Sequence, residues 1–449
     1  MFVGRRKEIK YLEEEFGKTK NIQVVYGHKG VGKTSLVLMF GSGRNMVYYS
    51  ARDCSENEQL FLWNNEAGLE VNEDELNFSV VLSSLKFSGE GKKLLIIDEF
   101  QNIVRNSEAF FPALMKYVKD SEDDINVLLI SSSISFVENA LVPRIGAYAQ
   151  GISGFFKVPE LKFSDCVAYF KNYNTPSCME IYNILGGMPS YWSRFSDKIS
   201  VRDNIERCIL HPDSYLREEG LRIVSEELRE LNVYCTILNC LAGGYNKLND
   251  LHIHTGYSRA KISVYIKNLM EREIVEKVFS FDNASSANAK KGVYRICNHY
   301  LSFYFRFLFN NMSKLTVLGS RRFYDMCIEP EINSFHQDNF KFICMEYMDI
   351  LNSKDKLPIK AVKSGEWVGK KGNIDIVLQD EDWDNILCFC NWEKEEFTQE
   401  DYNVCNEIAE DARLKPDYML IFSRGRFDER LITMERFSDK LQLVNVDSL

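Results

Sequence analysis

The chain has 449 residues, more than one compact core accommodates, so we expect two to four domains. Hydrophobic residues make up 45%, charged residues 27%, and the net charge of −10 argues against a protein whose whole surface binds nucleic acid. No apolar run approaches the ~18 residues of a membrane helix, and the charged N-terminus lacks the apolar stretch of a signal peptide. The twelve cysteines are scattered and include no CxxC pair, which favours reduced thiols. We therefore expect a cytoplasmic protein without a membrane partner.

The first 160 residues alternate predicted helices with predicted strands. Helical spacing covers Glu8–Phe16, and a second apolar helix covers Ser35–Phe40. The apolar runs that read as strands are Ile22–Tyr26, Val47–Ser50, Leu94–Ile97 and Val127–Ile130. This alternation predicts a doubly wound α/β domain with a parallel sheet at residues 1–160.

A glycine-rich turn joins the first predicted strand to the following helix. Its sequence, GHKGVGKT at Gly27–Thr34, fits the P-loop pattern G-x-x-x-x-G-K-T in full. Glycines at these positions let backbone N–H groups surround phosphate oxygens at the positive end of a helix. We therefore expect Lys33 to reach the β and γ phosphates of ATP, and the Thr34 hydroxyl to be a ligand of Mg²⁺.

Polar residues follow two of the later strands. Asp98 and Glu99 come directly after Leu94–Ile97, so Asp98 is predicted to hold Mg²⁺ through water and Glu99 to polarise the attacking water. Ser132 lies at the tip of the next strand, where it either faces the γ-phosphate or belongs to a turn of small residues. The presence of Glu99 favours hydrolysis over nucleotide binding alone.

The chain turns helical after residue 160. Residues 161–230 are predicted to form a helical lid, which Gly186-Gly187-Met188-Pro189 interrupts. Residues 231–315 have the order of a winged helix. Its predicted elements are three helices, Val233–Leu241, Leu248–Thr255 and Arg259–Arg272, and two strands, Val275–Phe279 and Val293–Cys297, separated by a polar loop Asp282–Lys291.

The third of these helices carries the basic residues Arg259, Lys261 and Lys267. They suit contacts with DNA phosphates, yet the same face also suits a protein partner or an intramolecular contact. Residues 330–449 return to an α/β pattern. The predicted strands there are Ile374–Leu378, Ile386–Phe389 and Tyr418–Phe422.

Taken together, these motifs resemble the archaeal-type ATPases, relatives of the AAA+ and signal-transduction ATPases that also occur in bacteria. The resemblance rests on six segments: Phe2–Arg5, the P-loop, Ile96–Gln101, Gly186–Pro189, Tyr294–Ile296 and Tyr300–Phe305. It implies that Val3 and Gly4 approach the adenine and that the C-terminal domain resembles a restriction endonuclease. The nucleotide-contacting set predicted in this way is Val3, Gly4, Gly27, His28, Lys29, Gly30, Val31, Gly32, Lys33, Thr34 and Ser35.

Two departures from the family pattern bear on activity. The stretch Gly146–Gly151 contains no arginine where the family often has one to face the γ-phosphate. The nearby Arg144 either substitutes for it or is a plain surface residue. In the C-terminal domain Asp375 fits the first acid of a PD-(D/E)xK nuclease, but Phe389 and Asn391 stand where the acid and the lysine belong. We therefore expect slow hydrolysis and a degenerate nuclease-like module at residues 330–449.

The sequence thus predicts an α/β protein with a P-loop NTPase sheet, a helical lid, a winged helix and a restriction-endonuclease-like domain. Its expected function is that of a slow Mg²⁺-dependent ATPase acting as a nucleotide-controlled switch. Two alternatives stay open: a DNA-binding regulator or defence protein, and a metal-dependent nuclease. The protein partner and the formation of homo-oligomers also stay open.

Overall fold

A computed structural model describes residues 2–226, 228–282 and 292–448. Most of the predicted polar loop Asp282–Lys291, namely residues 283–291, lies outside the described residues. The chain divides into two compact units. The first contains Met1–Leu161 and the short segment Met188–Ser190, and the second contains Lys162–Gly187 and Tyr191–Leu449.

The first unit is built on a parallel β-sheet. Its strands are β1 (Asn21–Tyr26), β2 (Asn45–Ser50), β3 (Lys93–Asp98), β4 (Ile125–Ser131) and β5 (Gly154–Lys157). They lie in the order β2-β3-β4-β1-β5, and every neighbouring pair is parallel. The helices are α1 (Arg6–Phe16), α2 (Lys33–Gly41), α3 (Glu56–Glu66), α4 (Phe78–Ser83), α5 (Gln101–Asn106), α6 (Phe110–Asp120) and α7 (Val142–Ile145). The predicted parallel α/β sheet is confirmed.

The central strands of this sheet are apolar along their whole length because both of their faces are covered. Leu94–Ile97 of β3 and Val127–Ile130 of β4 are buried throughout, as parallel strands between two layers of helices require. Since all five strands run the same way, their carboxyl ends meet at one edge of the sheet. The P-loop, Asp98 and Ser131 follow or end strands at this edge.

The second unit begins with short helices in the predicted lid region. These are α8 (Phe163–Tyr169), α9 (Thr175–Leu185), α10 (Pro189–Trp192), α11 (Val201–Ile205) and α12 (Tyr215–Ser225). The helix α10 starts at Pro189, where a missing N–H costs nothing because the first turn of a helix leaves its N–H groups unpaired. Its first two residues belong to the first unit and its last two to the second, so the chain passes between the units here.

Three helices and a hairpin follow. They are α13 (Leu231–Ala242), α14 (Leu248–Thr255), α15 (Arg259–Met270), β6 (Val275–Phe279) and β7 (Gly292–Ile296). The strands β6 and β7 pair antiparallel, with Val275 opposite Ile296. α15 ends at Met270, two residues before the predicted end. The apolar residues Ile262, Ile266 and Leu269 of α15 are buried.

The C-terminal part contains a mixed sheet. The helices α16 (His299–Phe303), α17 (Met312–Phe323, kinked at Gly319) and α18 (Ile332–Ser353) lead into it. The strands and helices that follow are β8 (Lys363–Val368), β9 (Asn373–Gln379), β10 (Asn385–Asn391), β11 (Glu396–Phe397), α19 (Gln399–Ala412), β12 (Tyr418–Ser423), β13 (Arg426–Phe427), α20 (Glu429–Arg436) and β14 (Leu441–Asn445). The sheet order is β14-β12-β10-β9-β8, parallel from β14 to β10 and antiparallel beyond.

The hairpin is joined to this C-terminal sheet. Ser280, just after β6, forms a bridge with Glu366 of β8, and the Phe281 N–H donates to the Glu366 carbonyl at 2.7 Å. The Phe281 ring is buried in the apolar cluster of the C-terminal sheet together with Trp367 and Leu387. One continuous stretch of chain therefore contributes both to the hairpin and to the core of the C-terminal sheet.

All twelve cysteines fall within the described residues and are free thiols. Cys388 and Cys390 are buried in β10, as expected for thiols that pack in a core. Across the part of the chain that the structure describes, none of the helices combines the length and the apolar composition needed to cross a membrane.

Candidate functional site

The P-loop connects β1 to α2 in a conformation that glycine permits. Gly27, Gly30 and Gly32 have φ values of 153°, 84° and 96°, a region that residues with a Cβ rarely adopt. A Cβ on Gly27 would lie 2.6 Å from the Val158 carbonyl oxygen, and one on Gly30 would collide with the Ser190 hydroxyl. The loop is therefore tightly enclosed by its own unit.

The ammonium of Lys33 points back into the loop. Its Nζ donates to the carbonyl oxygens of Gly27 and His28, at 2.9 Å each. Burial lowers the pKa of Lys33 to about 8, against the nearby charges of Glu99 and Asp98, which raise it. Lys33 is thus a buried cation, and a phosphate bound beside it would be a stronger partner than the two loop carbonyls.

Thr34 and Asp98 come together at the sheet edge. The Thr34 hydroxyl donates to Asp98 Oδ2 at 2.7 Å, and the Tyr48 hydroxyl donates to the same oxygen at 3.0 Å. The other carboxylate oxygen, Oδ1, accepts from the Glu99 N–H at 2.9 Å. A hydroxyl beside a carboxylate is a set of hard oxygen donors, which fits Mg²⁺.

Glu99 is held by the neighbouring strand. Its Oε2 accepts from the Ser132 hydroxyl at 2.6 Å and also from the side-chain amide of Gln101. The backbone of Glu99 has φ 52°, an uncommon value for a residue with a side chain. The structure thus brings Glu99 and Ser132, two of the predicted catalytic residues, into direct hydrogen-bonding contact.

The N-terminal segment is attached to the P-loop by Arg5. The Arg5 guanidinium donates to the carbonyls of Val31 and Pro159, both at 2.7 Å, and pairs with Glu8 at 3.1 Å. Only 4% of the Arg5 side chain is exposed, so these bonds are shielded from water. Val3 and Gly4 directly precede Arg5, which keeps this segment beside the loop.

Arg144 is placed at the end of a helix. Its guanidinium donates to the carbonyls of Val104 and Arg105, at 2.6 and 2.7 Å. These are carbonyls of the last turn of α5, which lack partners within the helix and attract a cation. Arg144 therefore has a local structural role in this structure.

Three residues of the site were given no role by the sequence, although Arg5 and Gln101 lie in segments that carry the family resemblance. Arg5, Tyr48 and Gln101 reach the predicted residues through contacts that depend on the fold. Tyr48 lies on the strand next to β3, in a run that reads simply as apolar. Burial and the nearby charge of Asp98 raise the pKa of Tyr48 to about 12, so at neutral pH its hydroxyl keeps the proton that it donates.

The acid of the C-terminal domain is enclosed. Asp375 accepts from the Cys390 N–H at 2.8 Å, and burial raises the pKa of its carboxyl to about 6. Phe389 packs in the apolar cluster, and the Asn391 amide donates to Ser423 at 2.8 Å and to the Lys394 carbonyl at 3.1 Å. Among the described residues no three His, Cys, Asp or Glu side chains group as a metal site would need.

The basic residues of α15 lie on its exposed side. Arg259 donates to the side chain of Asn249, Lys261 lies over the ring of Tyr257, and Lys267 pairs with Glu271 at 3.7 Å. The two nearby histidines have separate structural partners. His252 contacts the carbonyl of Tyr257 and His254 stacks on Tyr245, so they do not converge on one point.

Comparison with known protein families matches two parts of the chain. Residues 2–195 match an ATPase domain found predominantly in Archaea. Residues 304–403 match a family of archaeal and bacterial proteins of unknown function. An uncharacterized protein of Methanocaldococcus jannaschii is 27% identical over 398 residues, which are 87% of this chain and 88% of that protein.

Solved structures that match part of this chain include the following two. The Walker-type ATPase of Pyrococcus abyssi is 15% identical, with a TM-score of 0.47, and the match covers 68% of this chain and 96% of that chain. The ORC2 protein of Aeropyrum pernix, solved as ADPNP–ADP complexes, is 14% identical with a TM-score of 0.46, over 69% of this chain and 93% of that chain.

Proposed function

Residues 2–195 are an archaeal-type ATPase domain, and from this premise we propose that the protein is a slow Mg²⁺-dependent ATPase that works as a nucleotide-controlled switch. The observation that carries the proposal is the convergence of Lys33, Thr34, Asp98 and Glu99 at one edge of the parallel sheet. Each of these groups has the chemistry that phosphoryl transfer to water needs.

In the proposed mechanism Lys33 leaves the loop carbonyls and pairs with the β and γ phosphates of ATP. The Thr34 hydroxyl, and Asp98 through water, would hold Mg²⁺, which would neutralise charge on the phosphates. Glu99 accepts a proton from the attacking water, and Ser132 orients the Glu99 carboxylate by the hydrogen bond of 2.6 Å. Val3 and Gly4 are proposed to border the adenine.

The proposal that turnover is slow rests on the arginines. Gly146–Gly151 contains no arginine, and the Arg144 guanidinium is hydrogen-bonded to carbonyls at the end of α5. An arginine facing the γ-phosphate accelerates hydrolysis by about 10³- to 10⁵-fold in the enzymes that use one. A single chain without it is expected to turn over on the order of 10⁻³ s⁻¹ or slower.

We propose that the remaining regions respond to the nucleotide: a lid at residues 161–230, a winged helix at 231–315 and a degenerate nuclease-like module at 330–449. The segment Met188–Ser190 supports such coupling. The Ser190 N–H donates to the Gly30 carbonyl of the P-loop at 3.3 Å, and both flanking residues, Gly187 and Tyr191, belong to the second unit. In this proposal, a movement of the P-loop displaces Met188–Ser190, and the chain carries that displacement to the flanking residues of the second unit.

The first test is ATP binding by Lys33→Ala. Charge-assisted hydrogen bonds contribute ~1.5–3 kcal/mol each, so the loss of bonds to two phosphates should weaken ATP binding by at least about 100-fold. The measurement is equilibrium titration with a fluorescent ATP analogue. Lys10→Ala serves as the control, since Lys10 is an exposed lysine on α1, and it should bind like the wild type. Equal affinities for Lys33→Ala and the wild type would contradict the proposal.

A DNA-binding regulator is the second candidate function. The exposed basic residues of α15, Arg259, Lys261 and Lys267, favour it. Binding through phosphate contacts would weaken steeply with salt, by nearly one power of the salt concentration for each contact. Titration of duplex DNA at two salt concentrations, with and without ATP, separates this candidate from a switch that acts on a protein.

A further inference from the structure

Tyr48 lies on β2, an edge strand of the parallel sheet, next to β3, which carries Asp98. Its hydroxyl donates to Asp98 Oδ2 at 3.0 Å. Ser50, two residues further along β2, is the residue paired with Asp98 in register. The Tyr48 side chain therefore extends along the strand toward the sheet edge, where the nucleotide site lies.

Three donors fix the Asp98 carboxylate in the part of the chain that the structure describes. Oδ1 accepts from the Glu99 N–H, and Oδ2 accepts from the hydroxyls of Thr34 and Tyr48. The Thr34 hydroxyl is the group that would turn to a bound metal. Tyr48 would then remain as the side-chain donor to Oδ2, the oxygen that it shares with Thr34.

We propose that Tyr48 is a positioning residue for the divalent metal: its hydroxyl keeps the Asp98 carboxylate oriented toward the metal once Thr34 has turned away. This inference rests on the proposed ATPase function. A partner of a metal-binding group fixes its orientation, and removing such a partner typically costs 10- to 100-fold in metal affinity. Because Asp98 is proposed to hold the metal through water, the lower end of that range applies.

The test is metal binding by Tyr48→Phe. This change removes the hydroxyl and keeps a ring that is 36% exposed, so the fold is retained. Mn²⁺, observed by electron paramagnetic resonance, is titrated into the ADP complex as a probe of the Mg²⁺ position. Tyr48→Phe is expected to bind Mn²⁺ about tenfold more weakly than the wild type, while ADP affinity in EDTA stays within about twofold.

Tyr49→Phe is the matched control. Tyr49 is the next residue of β2 and lies on the other face, where its hydroxyl contacts Gln59. Tyr49→Phe removes a hydroxyl from the same strand, but one that does not contact Asp98. The Mn²⁺ affinity of this variant should therefore equal that of the wild type. Mn²⁺ affinity unchanged in Tyr48→Phe, or lowered equally in Tyr49→Phe, would overturn the inference. A wild type that binds no ADP would instead overturn the proposed function itself.

Discussion

Lys33 is the residue in which burial and charge are most directly opposed. Lys33 is only 5% exposed, and its ammonium donates to two carbonyls of the loop. Burial disfavours the charged form and lowers the pKa to about 8, although Glu99 and Asp98 favour the charge. A group with this pKa is charged at neutral pH and begins to lose its proton in mildly alkaline solution.

This pKa predicts a pH dependence of ATP affinity. Below pH 8 the Lys33 ammonium is charged and able to pair with phosphate, and above pH 8 the free protein loses this proton. Affinity should therefore fall about tenfold between pH 7 and pH 9, since one pH unit beyond the pKa leaves about a tenth of the charged form. Equilibrium titration across this range measures it.

Lys33→Arg is the control for this dependence. Arginine stays protonated above pH 12, so the affinity of this variant, whatever its absolute value, should not change between pH 7 and pH 9. The same tenfold decline in Lys33→Arg would show that a different group titrates.

In the two five-stranded sheets the interior strands were predictable, and of the edge strands only β2 was. The runs in β3 and β4 are continuously apolar because helices cover both faces. β5 is four residues long and β8 contains Gly365 and Glu366 with a bulge, so neither has a clear apolar pattern. Edge strands pair on one side only, and their sequences are correspondingly less constrained.

The residues of the nucleotide site also divide into those that the sequence predicts and those that it does not. The residues of the P-loop follow one another in the sequence, and so do Asp98 and Glu99. Each of these two motifs could therefore be recognised directly. Arg5 and Tyr48 reach the site through contacts across 26 and 50 residues of chain. Such contacts depend on which strands become neighbours, and periodicity in a single sequence does not specify that order.

The join between the hairpin and the C-terminal sheet depends on Glu366. This carboxylate pairs with Arg295 of β7 at 2.7 Å and with Lys341 of α18 at 2.6 Å. Glu366→Ala leaves two partly buried cations without this partner, so we expect a loss of about 1–3 kcal/mol in the free energy of unfolding, below the cost for fully buried pairs. Denaturant unfolding measures the change.

Asp355→Ala is the matched control for Glu366→Ala. The ion pair of Asp355 with Lys360 is also short, at 2.9 Å, but both side chains are more than 70% exposed. Its removal should cost less than about 0.5 kcal/mol. Equal losses for the two variants would mean that the Glu366 cluster is no more than a surface ion pair.

At the scale of the whole molecule, the ATPase domain and the large second unit are joined in part by a short segment on the P-loop. Met188–Ser190 belongs to the first unit although the residues on both sides belong to the second. A chain with this connectivity suits a switch, in which slow hydrolysis sets how long one state lasts. The buried Asp375 and the residues at Phe389 and Asn391 favour a binding role for the C-terminal part.

The most direct test of the central claim is steady-state phosphate release by Glu99→Gln at saturating Mg²⁺ and ATP, with ATP affinity measured on the same preparation. Because loss of a general base typically costs 10²- to 10⁴-fold, turnover should fall at least about 100-fold while affinity stays within about threefold. Turnover equal to that of the wild type would contradict the account, since Glu99 would then not activate the attacking water.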